Sequence, residues 1–233
     1  MATILDPDGW SGATSGTWSR RANQVIDERR GVRTEGRDLI NALRGADVII
    51  GRRNDDRPGY FSDRGNLQFG GDDDLLIGSS RDGFGIDNQG FIFMGTGDDR
   101  IVASGGDKAM RNRRNIFTQD GKDTVDVSDG GIRGRGFIDL GTGRNTFIGF
   151  GDHTVFGSEN KRDLLELPSG TYELRRRGNG RRGREVRVEQ DDDRLRVFDF
   201  DKLGAIGGRS RDRIDIEQNG TVVVSNNGTI EIT

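Results

Sequence analysis

At 233 residues the chain has room for one large domain or two modest ones. Its 39 acids against 36 bases, a net charge of −3, lack the basic excess of a dedicated nucleic-acid binder. It has no cysteine, which excludes disulfides and thiolate metal sites, and no apolar run approaches membrane-spanning length.

Only 30% of the chain is hydrophobic, while 38 residues are glycine and 3 are proline. That is lean for an ordinary globule. It suits a solenoid, which needs only a narrow apolar stripe per coil. The glycines imply many turns with positive φ.

Residues 1–37 carry no repeat and read as an N-terminal cap or arm. Met1 to Asp8 shows no basic flank leading into an apolar run, so no classical signal peptide is expected there. Ser19 to Arg30 reads as a short helix, with Ser19 as N-cap and Ala22, Val25 and Ile26 on one face.

Residues 38–170 read as a repeat domain. A phrase of glycine, any residue, Asp or Asn, any residue and an apolar residue recurs as Gly45-Ala46-Asp47-Val48-Ile49, Gly71-Asp72-Asp73-Asp74-Leu75, Gly97-Asp98-Asp99-Arg100-Ile101, Gly121-Lys122-Asp123-Thr124-Val125 and Gly143-Arg144-Asn145-Thr146-Phe147. Recurrence at a near-constant spacing of this size marks a repeat architecture. Each unit is expected to hold two strands, one after the Asp turn and one before the next. The stretches Ser79 to Gln89 and Ser104 to Arg114 then become exposed loops.

Residues 171–233 change pattern. Glu185–Val188, Leu195–Phe200, Ile214–Glu217, Thr221–Val224 and Thr229–Ile232 alternate apolar with polar residues, as half-exposed strands do. Asn219-Gly220 and Asn227-Gly228 are hairpin-type turns. This segment reads as a C-terminal antiparallel β cap, and Arg175 to Arg184 as a solvated loop.

Stacking the units as a parallel β-roll or β-helix puts equivalent residues ~4.8 Å apart. Asp47, Asp73, Asp99 and Asp123 then form a column of carboxylates ended by Asn145. Two such charges at an effective dielectric of about 20 repel by roughly 3 kcal/mol. Something must neutralise them. Calcium would do so, with the turn glycines Gly71, Gly97 and Gly121 letting backbone carbonyls complete its shell. The flanking bases Arg100, Lys122 and Arg144 are the metal-free alternative, with the Asp side chains capping backbone NH groups.

On these residues the chain resembles the RTX family of hemolysin-type calcium-binding repeats. Gly95-Thr96-Gly97-Asp98-Asp99-Arg100-Ile101 and Gly141-Thr142-Gly143-Arg144-Asn145-Thr146-Phe147 match its nonapeptide from the second glycine on. Val197-Phe198-Asp199-Phe200-Asp201 and Asp212-Arg213-Ile214-Asp215-Ile216 are similar to the family's closing segment. The resemblance covers roughly residues 38–167. It implies calcium binding and export by a type I route, hence a secreted or cell-surface protein. A cytoplasmic location is the alternative. The family's own unit is nine residues, two to a coil, whereas here one turn per coil carries the motif.

No catalytic constellation stands out. His153 is the only histidine, and no His-Glu-x-x-His is present. Asp82, Asp87, Arg111, Arg113 and Arg114 would be the groove of a carbohydrate-active lyase or epimerase. The leading expectation is a non-enzymatic structural or adhesive solenoid. Its partners would be calcium and a protein or polysaccharide at the cell surface, with self-association through the solenoid ends. A metal-free scaffold or assembly subunit is the further alternative.

Overall fold

The computed structural model describes residues 2–3, 16–17, 24–28, 32–35, 39–42, 45–106, 108–158, 163–180 and 183–233. It is a β-solenoid of parallel stacked strands, as the repeat predicts, and no described residue is α-helical. Each coil has three strands, not two. On the first face Val48–Arg53, Leu75–Ser80, Arg100–Gly105, Thr124–Asp129, Thr146–Ile148, Leu164–Leu167 and Lys202–Ala205 pair in succession. On the second, Val32–Glu35, Tyr60–Asp63, Ile86–Asn88, Met110–Asn112 and Ile132–Arg133 pair in parallel. The third carries Leu39–Asn41, Asn66–Gly71, Ile92–Thr96, Asn115–Gly121, Phe137–Asp139 and Gly151–Phe156.

The second face falls where loops are expected, because its short strands give almost no periodicity to read. Ile86–Asn88 and Met110–Asn112 each span three residues. Each sends one apolar side chain inward, which is too little to show a period of two.

The core is three apolar columns, one behind each face. Ile49, Leu76, Ile101, Val125, Phe147, Leu165 and Leu203 stack in register, each at most 1% exposed. Tyr60, Ile86, Met110 and Ile132 form the second column, and Leu67, Ile92, Ile116, Ile138, Val155 and Val197 the third. Burying each such side chain contributes about 1.5–3 kcal/mol. A 30% hydrophobic chain is therefore enough, since nearly every coil places its few large apolar residues inside.

Two other segments depart from expectation. Gln24–Glu28 is a strand paired with Val48–Arg53, in the middle of the expected Ser19–Arg30 helix; the rest of that stretch, with Trp10 and Trp18, lies outside the described residues. The Arg175 to Arg184 stretch is a hairpin rather than a loop, because Gly170–Gly180 and Gly183–Gln190 pair antiparallel. The expected C-terminal strands do pair antiparallel, and Asp193–Phe198 also joins the third face in parallel with Gly151–Phe156. The Asn227-Gly228 turn lies in the loop joining Gly220–Val224 to Ile230–Ile232. Asn219-Gly220 instead leads into a strand that pairs with Gly170–Gly180.

The turns leave no room for side chains at stacked glycines. A Cβ on Gly121 would lie 1.7 Å from the Gly97 carbonyl oxygen, whereas one on Gly207 (φ +72°) would meet nothing within 4 Å. Gly121→Ala is expected to cost on the order of 3 kcal/mol or more. Gly207→Ala should cost ~1 kcal/mol, from its backbone conformation alone. Urea unfolding of the two variants checks the contrast.

Candidate functional site: a buried carboxyl ladder

The first corner of the solenoid holds a column of acids, and its register differs by one residue from the sequence reading in the second coil. Val48 pairs with Leu75, and Leu75 with Arg100, so Asp74 rather than Asp73 stacks between Asp47 and Asp99. Asp72, at φ +77°, takes the turn position that Gly97 holds in the next coil. Gly71 therefore stands one place before the equivalent of Gly97 and Gly121. The slip was hidden because three carboxylates and three apolar residues run together in Asp72-Asp73-Asp74-Leu75-Leu76-Ile77. Only burial separates Leu76, fully inside, from Leu75, half-buried.

The column runs Asp47, Asp74, Asp99, Asp123, Asn145 and Asp163, each at most 2% exposed. One hydrogen bond repeats along it. The backbone NH of Asp47 donates to Asp74 Oδ1 at 2.7 Å, that of Asp74 to Asp99 Oδ1 at 2.8 Å and that of Asp99 to Asp123 Oδ1 at 2.9 Å. The NH of Asp123 donates to Asn145 Oδ1 at 2.9 Å, and the NH of Asn145 to Asp163 Oδ1 at 2.7 Å. From the sequence, Asp163–Leu167 keeps the repeat pattern at a shorter spacing, but the expected column stops at Asn145 and leaves Asp163 out. Its coil is short and lacks the glycine turn phrase.

Asp73 belongs to an outer, solvent-facing row. Its Oδ1 accepts from the Asp98 NH at 2.7 Å, and Asp98 Oδ1 from the Lys122 NH at 2.8 Å. The bases expected to neutralise the column also lie outside. Arg100 pairs with Asp126 at 3.8 Å, and Lys122 and Arg144 are exposed. Among the described residues no ion pair joins any of them to Asp74, Asp99 or Asp123.

What the second carboxyl oxygens face can be read from Asn145. Its Nδ2 donates to the carbonyl of Leu140, five residues back, at 2.8 Å. Asp123, Asp99 and Asp74 are held by the same backbone hydrogen bond. The register puts Thr118, Met94 and Phe69 where Leu140 stands. Among the described residues the Oδ2 atoms of Asp74 and Asp99 are buried and have no hydrogen-bond donor, while the Thr118 hydroxyl beside Asp123 works to lower its pKa. An ionised carboxylate there would bury a charge with no ion-pair partner, whereas a neutral acid carries its own proton. Burial accordingly pushes Asp74 up to about 8 and Asp99 up to about 7, with neighbouring acids adding to the shift and the backbone NH opposing it. Burial raises Asp123 and Asp163 as well. Asp163 has donors on both oxygens, because the Asn145 NH reaches its Oδ1 and the Ser158 NH and hydroxyl its Oδ2.

Calcium takes six to eight oxygens at about 2.3–2.6 Å. Asp74, Asp99 and Asp123 each have one carboxyl oxygen already engaged by a backbone NH. Among the described residues no group of three or more acidic or histidine side chains converges as a metal site. The side chains do not by themselves complete a calcium shell, so backbone carbonyls would have to supply most of it.

A second polar column occupies the corner after the second face. Asn88 Nδ2 donates to Asn112 Oδ1 at 2.9 Å, and Asn112 Nδ2 lies 3.1 Å from His153 Nε2. His153 Nδ1 lies 3.2 Å from the Gly134 carbonyl. His153 stacks on Gly134, which has no side chain, and reaches past it to Asn112. Burial pushes the imidazole down to about 4, so it is held neutral. The would-be enzymatic groove is likewise committed to structure. Asp87 is fully buried and ion-paired with Arg111, whose guanidinium lies 4.2 Å from the Phe84 ring centre. Arg113 and Arg114 are exposed at the next turn.

These shifts set a pH dependence of unusual sign. Asp74 and Asp99 keep protons in the native state that the unfolded chain releases above about 4, so stability falls as pH rises from about 4 to about 8. His153 acts oppositely, but only between about 4 and 6.5. The melting temperature is therefore expected to be higher at pH 5.5 than at pH 8.5. Asp74→Asn with Asp99→Asn should raise it at pH 8.5 by ~5 °C or more and flatten the profile. Asn145→Asp should steepen it. Thermal unfolding across that range checks all three. Set beside known proteins, the chain matches no family model, no curated protein and no solved structure.

Proposed function

We propose that the chain is a non-enzymatic structural or adhesive β-solenoid, held at its first corner by a metal-free ladder of neutral acids and one asparagine. The observation that carries this reading is the repeated backbone hydrogen bond of the Asp47 to Asp163 column, which spends the most regular residues of the sequence on joining coils. The buried Asp87–Arg111 pair and the buried, hydrogen-bonded His153 are likewise tied into the scaffold. That leaves the groove foreseen for a lyase or epimerase without a free acid at Asp87.

Calcium binding is the second reading, and the second oxygens of Asp74 and Asp99, without a donor among the described residues, favour it. A cation would neutralise those oxygens as a proton does. With it would go the secreted or surface location that the RTX likeness implies, since binding to the folded state alone stabilises only where the ion is plentiful.

Unfolding at pH 8.5 in EGTA and in millimolar calcium separates the two. The metal-free ladder predicts melting temperatures within about 2 °C of each other, and a gain from Asp99→Asn in both conditions. A rise of more than about 10 °C with calcium, lost in Asp99→Asn, would overturn it in favour of the metal.

A further inference from the structure

The outer side of the first face carries a basic hollow that meets the first ladder only at Asn145. It is a concavity of about 660 Å³ between the strands Thr124–Asp129, Thr146–Ile148 and Leu164–Leu167 and the segment that follows Lys202–Ala205. Lys122 and Arg144 stand on adjacent coils at one side, and Lys202 and Arg213 at the other. Among the described residues Glu166 is the one acidic residue in the lining. Four cations to one anion is a local reversal of sign on a chain whose net charge is −3.

The cations differ in how far they are already engaged. Lys202 pairs with Asp215, and Arg213 reaches Glu166 at 3.5 Å. Lys122 and Arg144 are exposed, and among the described residues neither side chain has an ion-pair partner. Their backbones are one coil apart, ~4.8 Å. A point-charge ammonium beside a planar guanidinium fork suits a carboxylate, which the fork can bind through two parallel hydrogen bonds.

The rest of the lining describes the body of the ligand. Thr124, Thr146 and Ser210 offer hydroxyls, while Ile148 and Leu164 offer an apolar floor. No aromatic ring lines the hollow, so nothing is there for a nucleobase to stack on. Hydroxyls over a small apolar floor, with paired cations at the edge, fit a sugar ring that carries an acid. We infer that this hollow binds an acidic sugar unit, a uronate in an oligosaccharide, with Lys122 and Arg144 on its carboxylate and Thr124, Thr146 and Ser210 on its hydroxyls. The inference does not rest on the reading of the ladder, since the hollow lies on the opposite side of the first-face strands from the core.

Calorimetric titration of the full chain with trigalacturonate, maltotriose and inorganic phosphate tests it. Saturable binding of trigalacturonate is expected, weakening as salt is raised. Maltotriose and phosphate should each bind at least about tenfold less tightly. Lys122→Ala with Arg144→Ala should weaken trigalacturonate binding by about tenfold or more without moving the melting temperature, and Arg144→Lys should recover part of it. Thr146→Val tests the hydroxyl side apart from charge and should weaken binding severalfold. Absence of saturable binding, maltotriose binding as tightly, or indifference to the double variant would each overturn the proposal. Phosphate binding as tightly as trigalacturonate would reduce the hollow to a simple anion site and overturn it as a sugar site.

Discussion

One hydrogen bond, repeated, fixes how the coils stack. A side-chain oxygen of each ladder residue accepts the backbone NH of the ladder residue one coil before it. That NH sits at a corner, where the chain leaves one sheet before joining the next and no sheet partner is at hand. An unpaired buried NH costs as much as a lost hydrogen bond. Satisfying it from a side chain that must itself be buried is what brings acids into the interior. Their state of charge then becomes the chief electrostatic term in the stability of the rod.

The same constraint explains why the two ladders differ in composition. Asparagine meets both demands of the first corner, accepting from one coil and donating to its own backbone, and Asn145 does so with no charge to bury. Aspartate meets both only with a proton. At the second corner Asn88 and Asn112 are neutral by nature, and His153 is kept so by burial. The column as a whole does not end on an acid left to itself. Asp201, which follows Asp163 in register, is met at 3.2 Å by Arg184, a residue that also contacts Asp199 and Glu217.

Much of this was legible in the sequence. The recurring glycine and acid phrase located the first corner in every coil from Asp47 to Asn145, and the apolar residue two places after each acid marked the first inward column. The second coil was misread by one residue, since Asp72, Asp73 and Asp74 are chemically identical and only the side of the sheet on which Leu76 falls tells them apart. Asp163 shows in the sequence only as a shortened repeat, Asp163–Leu167, without the glycine phrase that would have joined it to the column. The second face was invisible because one inward residue per strand makes no pattern. The hollow on the first face is built from Lys122, Arg144, Lys202 and Arg213, residues up to ninety positions apart in the chain. Only the stacking of coils brings them together.

The ladder intervals carry a geometric consequence. Successive members are 27, 25, 24, 22 and 18 residues apart. Across these five intervals each coil has less chain than the one before it, but the flanking steps, 23 residues from Val25 to Val48 and 38 from Leu165 to Leu203, break the trend. Stacked parallel strands invite further strands at either end. A coil stacked beyond either end has no single outline to match, since the described coils run from 18 to 38 residues. Coils of unequal length work against growth into a uniform filament.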